Sequence, residues 1–164
     1  MAVVSRPITI AALVALAGCA TDADPPSPAP ELDVNAFRCA VQPVLAARCA
    51  FAECHASAQR PFRLYAVGRM RYAIGWDRLE EQLTATELTA NYDAARSFAA
   101  SSEPLVLMKP LDTRAGGYFH RGADLYGDDD VFLSTDDAGY RAIADWIAGA
   151  TAAATCTETE EVGP

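Results

Sequence analysis

Apolar positions recur at helical spacing in two widely separated parts of the chain. From Asp33 onward, Phe37, Val41, Val44 and Leu45 fall on one face and Arg48 closes the stretch. Apolar residues three and four apart form one stripe of an α-helix, so a helix is predicted here. Asp33 or Asn35 is placed to cap it, because a short polar side chain accepts from the first unpaired backbone N–H groups. Pro43 interrupts the stripe; inside a helix a proline removes one hydrogen bond and costs about 3 kcal/mol. The pattern therefore leaves two outcomes, a kink at Pro43 or a shorter second helix that Pro43 opens. Near the other end, Asp136 or Asp137 can cap a clearer helix with Tyr140, Ile143, Trp146, Ile147 and Ala150 on one face.

Between these two helices the periodicity is weaker. Trp76 to about Ala100 is rich in helix formers, and Leu79, Leu83, Leu88, Tyr92 and Phe98 give a loose helical period. Pro61-Phe62-Arg63-Leu64-Tyr65 is too short to type. Pro104 and Pro110 bracket a short apolar piece, Leu105-Val106-Leu107-Met108, and glycine and aspartate dominate from Arg114 to Asp130, which reads as an irregular loop. Asp128-Asp129-Asp130 resembles a cation site only weakly and reads as solvated loop. No internal repeat is visible, and the class expected is mostly α.

The first thirty residues follow a different pattern. Arg6 and the initiator amine precede a small and apolar run from Ile8 to Gly18. That run is about ten residues, against the roughly 20 needed to span hydrocarbon, and its flanks match a secretory signal. Leu16-Ala17-Gly18-Cys19 resembles the bacterial lipobox. The resemblance implies cleavage before Cys19, which would then carry acyl chains; several such chains, at about 0.8 kcal/mol per buried methylene, hold a protein stably at a membrane. The alternative is an ordinary signal cut elsewhere, with Cys19 a free thiol. Ala20 to Pro30 contains four prolines and two aspartates, a composition that favours extended polyproline II over a packed core. The expected organisation is a signal over 1–18, a lipidated proline-rich linker over 19–34, a domain over 35–150 and a solvated tail over 151–164.

Charge excludes one class of partner. Thirteen basic against 22 acidic residues give a net charge of −9, and such a surface repels phosphate backbones, so nucleic acid is not expected. It would favour salt-sensitive encounters with basic protein patches, or serve solubility alone. No nucleophile–base arrangement, phosphate-binding glycine loop or carboxylate pair stands out.

The chemistry concentrates in Cys49-Ala50-Phe51-Ala52-Glu53-Cys54-His55. Two cysteines followed at once by a histidine is the order used to attach haem c: the thiols add across the porphyrin vinyl groups and the histidine reaches the iron from one face. The sequence resembles the c-type cytochromes, and more narrowly exported bacterial members in which a stretch like Val41-Gln42-Pro43-Val44-Leu45 precedes a widened haem motif. A segment like Lys109-Pro110-Leu111, a loop with glycine and histidine, and a terminal helix ending in Trp146-Ile147 complete that pattern. The resemblance covers Phe37 to Ala150, although only the haem motif in it is specific. It implies a small cytochrome c-like helical domain around one covalent haem, with first and last helices crossing beside it. The usual motif has two residues between the cysteines and this one has four.

Two other uses of the trio stay open. Cys49 and Cys54 can form a local disulfide, or the trio can bind zinc or copper, for which His120 is the one remaining histidine. For the sixth iron ligand His120 leads, in Gly116-Gly117-Tyr118-Phe119-His120-Arg121-Gly122, where glycines would let the backbone approach the haem; the resemblance also favours a histidine there. Met108 is the alternative, though its apolar run suits core packing, and an open position is the third possibility. In a cytochrome fold the start of the first helix and the end of the last lie close together, so the resemblance implies a Cys39–Cys156 disulfide. The function that follows is electron transfer between extracytoplasmic redox partner proteins, from a lipid anchor on a bacterial membrane with the domain facing the periplasm. Two alternatives are a haem sensor or peroxidase-like enzyme with open iron, and a haem-free, disulfide-stabilised structural lipoprotein.

Overall fold

The computed structural model describes residues 29–73, 75, 78–121, 130–153 and 155–156. The signal, Cys19 and the linker as far as residue 28 lie outside the described residues, as do Trp76, Asp128, Asp129 and the last eight residues of the tail. The described chain is mostly α-helical with no strand, and none of its helices is long and apolar enough to cross a membrane.

Helix α1 (Val34–Ala36), a π-helical turn (Phe37–Val41) and α2 (Gln42–Arg48) run on from one another. Asp33 is the cap, its carboxylate accepting from the Ala36 amide at 2.6 Å. Pro43 opens a shorter second helix, the second of the two outcomes, and the chain runs into it without a break. Lacking an N–H, it cannot serve the carbonyl four residues back and would crowd it. The turn just before it is widened instead, with the Gln42 N–H reaching the Phe37 carbonyl five residues back, and Pro43 then lies in the first turn of α2, where a proline is tolerated.

Helix α3 covers Ala85–Ala99, later than the start expected near Trp76. The reason is a capping box: the Thr84 hydroxyl accepts from the Glu87 amide while the Glu87 carboxylate accepts from the Thr84 amide. These reciprocal bonds fix the helix start, and residues 78–81 form turns. Helix α4 (Leu105–Met108) is the short apolar piece that follows Pro104. Helix α5 (Ala138–Ile147) is capped by Asp137, which accepts from Gly139 and Tyr140. Ile143 and Trp146 are buried, whereas Ala150 lies beyond the helix end and is exposed.

The first and last helices pack together around aromatic rings. Phe37 and Trp146 lie 5.3 Å apart between ring centres, Phe37 and Tyr92 5.5 Å. The Trp146 indole donates to the Asp33 carbonyl at 2.9 Å, and the Tyr92 hydroxyl to the Leu32 carbonyl at 2.6 Å. Gly139 permits the close approach, since a Cβ there would stand 2.9 Å from Val44 Cγ1. Cys39 and Cys156 form a disulfide with a Cα separation of 5.3 Å, joining the two ends of the helical domain.

The irregular stretch between α2 and α3 is ordered by buried polar groups. Glu87 is fully buried and grips Arg71 through two bonds of 2.8 and 2.9 Å. Arg71 in turn donates to the carbonyls of Leu79, Glu81 and Gln82. One turn along α3, Asn91 bonds both the amide and the carbonyl of Tyr65 and also the Gln42 side chain. These bonds satisfy the buried polar groups of Glu87 and Asn91, as a loop without secondary structure requires, while Arg63 Nε is left buried without a partner.

Candidate functional site

A cavity of about 580 Å³ opens among α2, α3, α4, α5 and the two loops carrying the histidines. Its apolar wall includes Leu45, Phe62, Phe98, Val106 and Ile143. Cys49, Cys54, His55 and His120 all line it, so the structure brings the four leading candidates to one place. Arg60, Lys109, Arg121 and Glu53 supply charge around them. The size and the mix of apolar wall with few polar groups are those of a small-molecule or cofactor site.

The widened motif is absorbed by a tight loop at the end of α2. The amides of Cys54 and Ala56 both donate to the Phe51 carbonyl, at 3.0 and 2.9 Å. The His55 amide returns to the Cys49 carbonyl at 3.2 Å. The extra residues thus fold out as a turn, and the arginine of Arg69 covers the Phe51 ring at 3.9 Å. His55 is then oriented through its side chain: Nδ1 lies 2.8 Å from the Phe62 carbonyl oxygen. A carbonyl only accepts, so Nδ1 carries the proton and Nε2 keeps the lone pair.

His120 reaches the cavity from the other side. The Tyr118 amide donates to the Met108 carbonyl at 2.7 Å, and Lys109 Nζ donates to the Phe119 carbonyl at 3.0 Å. Gly117 has a packing role of its own. It lets the loop press against Leu111, where a Cβ would lie 1.8 Å from the carbonyl oxygen. His120 Nδ1 lies 3.1 Å from Asp130 Oδ1. A carboxylate also only accepts, so here too Nδ1 is the nitrogen that donates. Asp130 departs from the solvated loop expected of it; it is buried, because the Leu111–Phe132 bridge draws its segment inward.

The two imidazole rings have their centres 6.1 Å apart and their planes 11° from parallel. That is too wide for direct stacking. Two imidazoles on opposite sides of one metal ion, with bonds of about 2 Å and about 1 Å more to each ring centre, would stand about 6 Å apart. Metal-binding histidines as a rule hold their second nitrogen on a carbonyl or carboxylate, and both rings do so here. Burial, with a smaller contribution from the other histidine, lowers the His55 pKa below its ordinary value, although the bond to Phe62 opposes this; the ring is therefore neutral, the form that binds metal. Met108 is half-buried in α4 and does not line the cavity.

Cys49 and Cys54 are both free thiols, and they are not joined to each other. Burial, aided by the neighbouring Cys54, pushes the Cys49 thiol up to about 12, and burial with Glu53 raises Cys54. Both are held as neutral S–H groups. Among the described residues no three or more His, Cys, Asp or Glu side chains converge as a metal cage. Two thiols and two imidazoles are a set that zinc also uses, but they do not converge on one point here.

Two contributors had escaped the sequence: the Phe62 carbonyl, to which no side-chain pattern points, and Asp130, whose only signal was its place shortly after the histidine loop. No family model, no curated protein and no solved structure matches the chain.

Proposed function

We propose that the protein is an exported, lipid-anchored c-type cytochrome that holds one haem and passes electrons between redox partner proteins. The observation that carries this is the pair of near-parallel imidazoles 6.1 Å apart in a cavity also lined by Cys49 and Cys54. Cys49 and Cys54 would supply the thioether sulfurs, His55 the proximal ligand and His120 the distal one. When bound, haem c supplies a one-electron iron couple. The side chains of Leu45, Phe62, Phe98, Val106 and Ile143 would exclude water from its faces, and the cations Arg60, Lys109 and Arg121 would meet its carboxylates.

Two histidines in the cavity favour an electron carrier over a sensor or peroxidase, since both axial positions would be taken by protein. The anchor would be Cys19, with the proline-rich segment after it as a stalk on the periplasmic side of a membrane. An acidic chain of net charge −9 suits fast encounters with basic partners and not nucleic acid.

The test is the intact mass and absorption spectrum of the full chain produced with a haem-attachment system. A mass gain of one haem that survives denaturation, with sharp reduced bands, is expected. A colourless protein without that gain sinks the cytochrome and leaves a disulfide-braced surface lipoprotein. Carbon monoxide binding to the reduced form would instead favour an open-iron sensor or enzyme.

A further inference from the structure

The two imidazoles are held by groups of different charge. His55 Nδ1 meets a neutral backbone carbonyl, that of Phe62, at 2.8 Å. His120 Nδ1 meets the carboxylate of Asp130 at 3.1 Å. The Asp130 side chain is only 5 % exposed, and among the described residues His120 is its one side-chain partner. Water therefore screens the pair weakly, and the carboxylate acts on the ring with little competition.

Asp130 is itself held in place. Its Oδ1 accepts from the Val131 amide at 2.8 Å. The following residue, Phe132, is fully buried; its amide donates to the Pro110 carbonyl at 2.8 Å and its carbonyl accepts from Asp112 at 2.9 Å. These bonds tie the Asp130 segment to the stretch that follows α4, which also leads into the His120 loop. Donor and acceptor are thus mounted on one small unit.

We infer that Asp130 is the positioning residue of the distal ligand: its buried carboxylate fixes the His120 ring and makes that imidazole a stronger electron donor than His55. This rests on the cytochrome reading above. A proton shared with a carboxylate leaves more electron density on the opposite nitrogen, and partners of this kind tune the basicity of a ligand. A more basic ligand and a nearby negative charge both favour oxidised over reduced iron. The two axial sides are therefore electronically unequal, and Asp130 sets the difference.

The test uses the haem-loaded full chain and its Asp130→Asn variant. Asparagine keeps the shape and one accepting oxygen but removes the charge. At a fixed applied potential the ratio of reduced to oxidised protein should rise about tenfold in the variant, which for a one-electron couple is a 59 mV upward shift in midpoint. The low-spin spectrum should persist, because His120 still binds. A ratio within twofold of wild type overturns the inference. Should the variant fold poorly, the reduced wild-type protein decides alone: the Nδ1 proton of His120 should resonate further downfield than that of His55, and the opposite order overturns the proposal. Failure of the parent reading looks different. A wild-type protein without haem sinks that reading, and an unchanged low-spin spectrum in His120→Ala removes His120 as ligand and this inference with it.

Discussion

Glu87→Gln tests whether the loop between α2 and α3 is held by the buried ion pair. The wild-type carboxylate accepts five bonds: from Arg71 Nε and Nη2, the amides of Tyr72 and Thr84, and the Thr84 hydroxyl, all between 2.7 and 3.0 Å. Its side chain is fully buried and that of Arg71 is 2 % exposed. Removing one member of a buried pair strands the other, at a cost of about 3–5 kcal/mol. Glutamine keeps one accepting oxygen, so the lower end, about 3 kcal/mol, is expected, a large part of the 5–15 kcal/mol that stabilises a typical domain. Urea unfolding of the two proteins at neutral pH measures it. The same experiment in acid adds a second constraint. Burial pushes the Glu87 carboxyl up, but the bonds from Arg71, Tyr72 and Thr84 outweigh it and hold the group at about 2, against 4.5 when unfolded. A folded pKa below the unfolded one contributes stability above about 4.5, and that contribution is lost as pH falls toward 2. The gap between wild type and variant should therefore close over that window. A neutral-pH gap below about 1 kcal/mol, the size of a surface ion pair, would refute the argument, as would a gap that stays constant into acid.

Three further outcomes follow. Replacing Cys39 and Cys156 together by serine opens a loop of sequence separation 117 and should cost at most about 5 kcal/mol in the chain-entropy estimate; a loss under about 1 kcal/mol in urea unfolding would show that the bridge constrains little. Gly117→Ala must push the loop off the Leu111 carbonyl, an overpacking cost of about 3 kcal/mol, read as a lower melting temperature and a weakened low-spin signal. His120→Ala should convert the low-spin spectrum to one that binds carbon monoxide when reduced, while Met108→Ala leaves it unchanged; the reverse pattern would exchange the two residues' roles.

What the sequence made legible was local. Asp33 and Asp137 are caps because each serves amides two or three residues away, and such pairs can be read from spacing alone. The trio Cys49, Cys54 and His55 could be picked out for the same reason. The start of α3 carried a readable signal, Thr84-Ala85-Thr86-Glu87, but the loose leucine period upstream extended the helix too far. The π turn before Pro43 was hidden because a proline announces a disturbance without saying how the backbone relieves it. The Cys39–Cys156 bridge came from resemblance and not from periodicity, and the structure contains it. The pairing of His55 with His120 spans 65 positions, and its geometry depends on packing among four helices. Asp130 is the sharpest case: three consecutive aspartates suggest solvent, and only the Leu111–Phe132 bridge reveals that one of them is turned inward.

The contacts that receive the chain at its entry have a mechanical consequence. Leu32 and Asp33 are clasped by Tyr92 and Trp146, and the Cys39–Cys156 bridge rivets the exit to the same helix pair. None of these six residues belongs to the cavity wall. A pull on the segment preceding Ala29 would be taken up by the indole, the phenol and the covalent rivet before it could strain the loops bearing the imidazoles. Tension on the chain where it enters the domain and the spacing of the two rings are thus borne by different parts of the molecule.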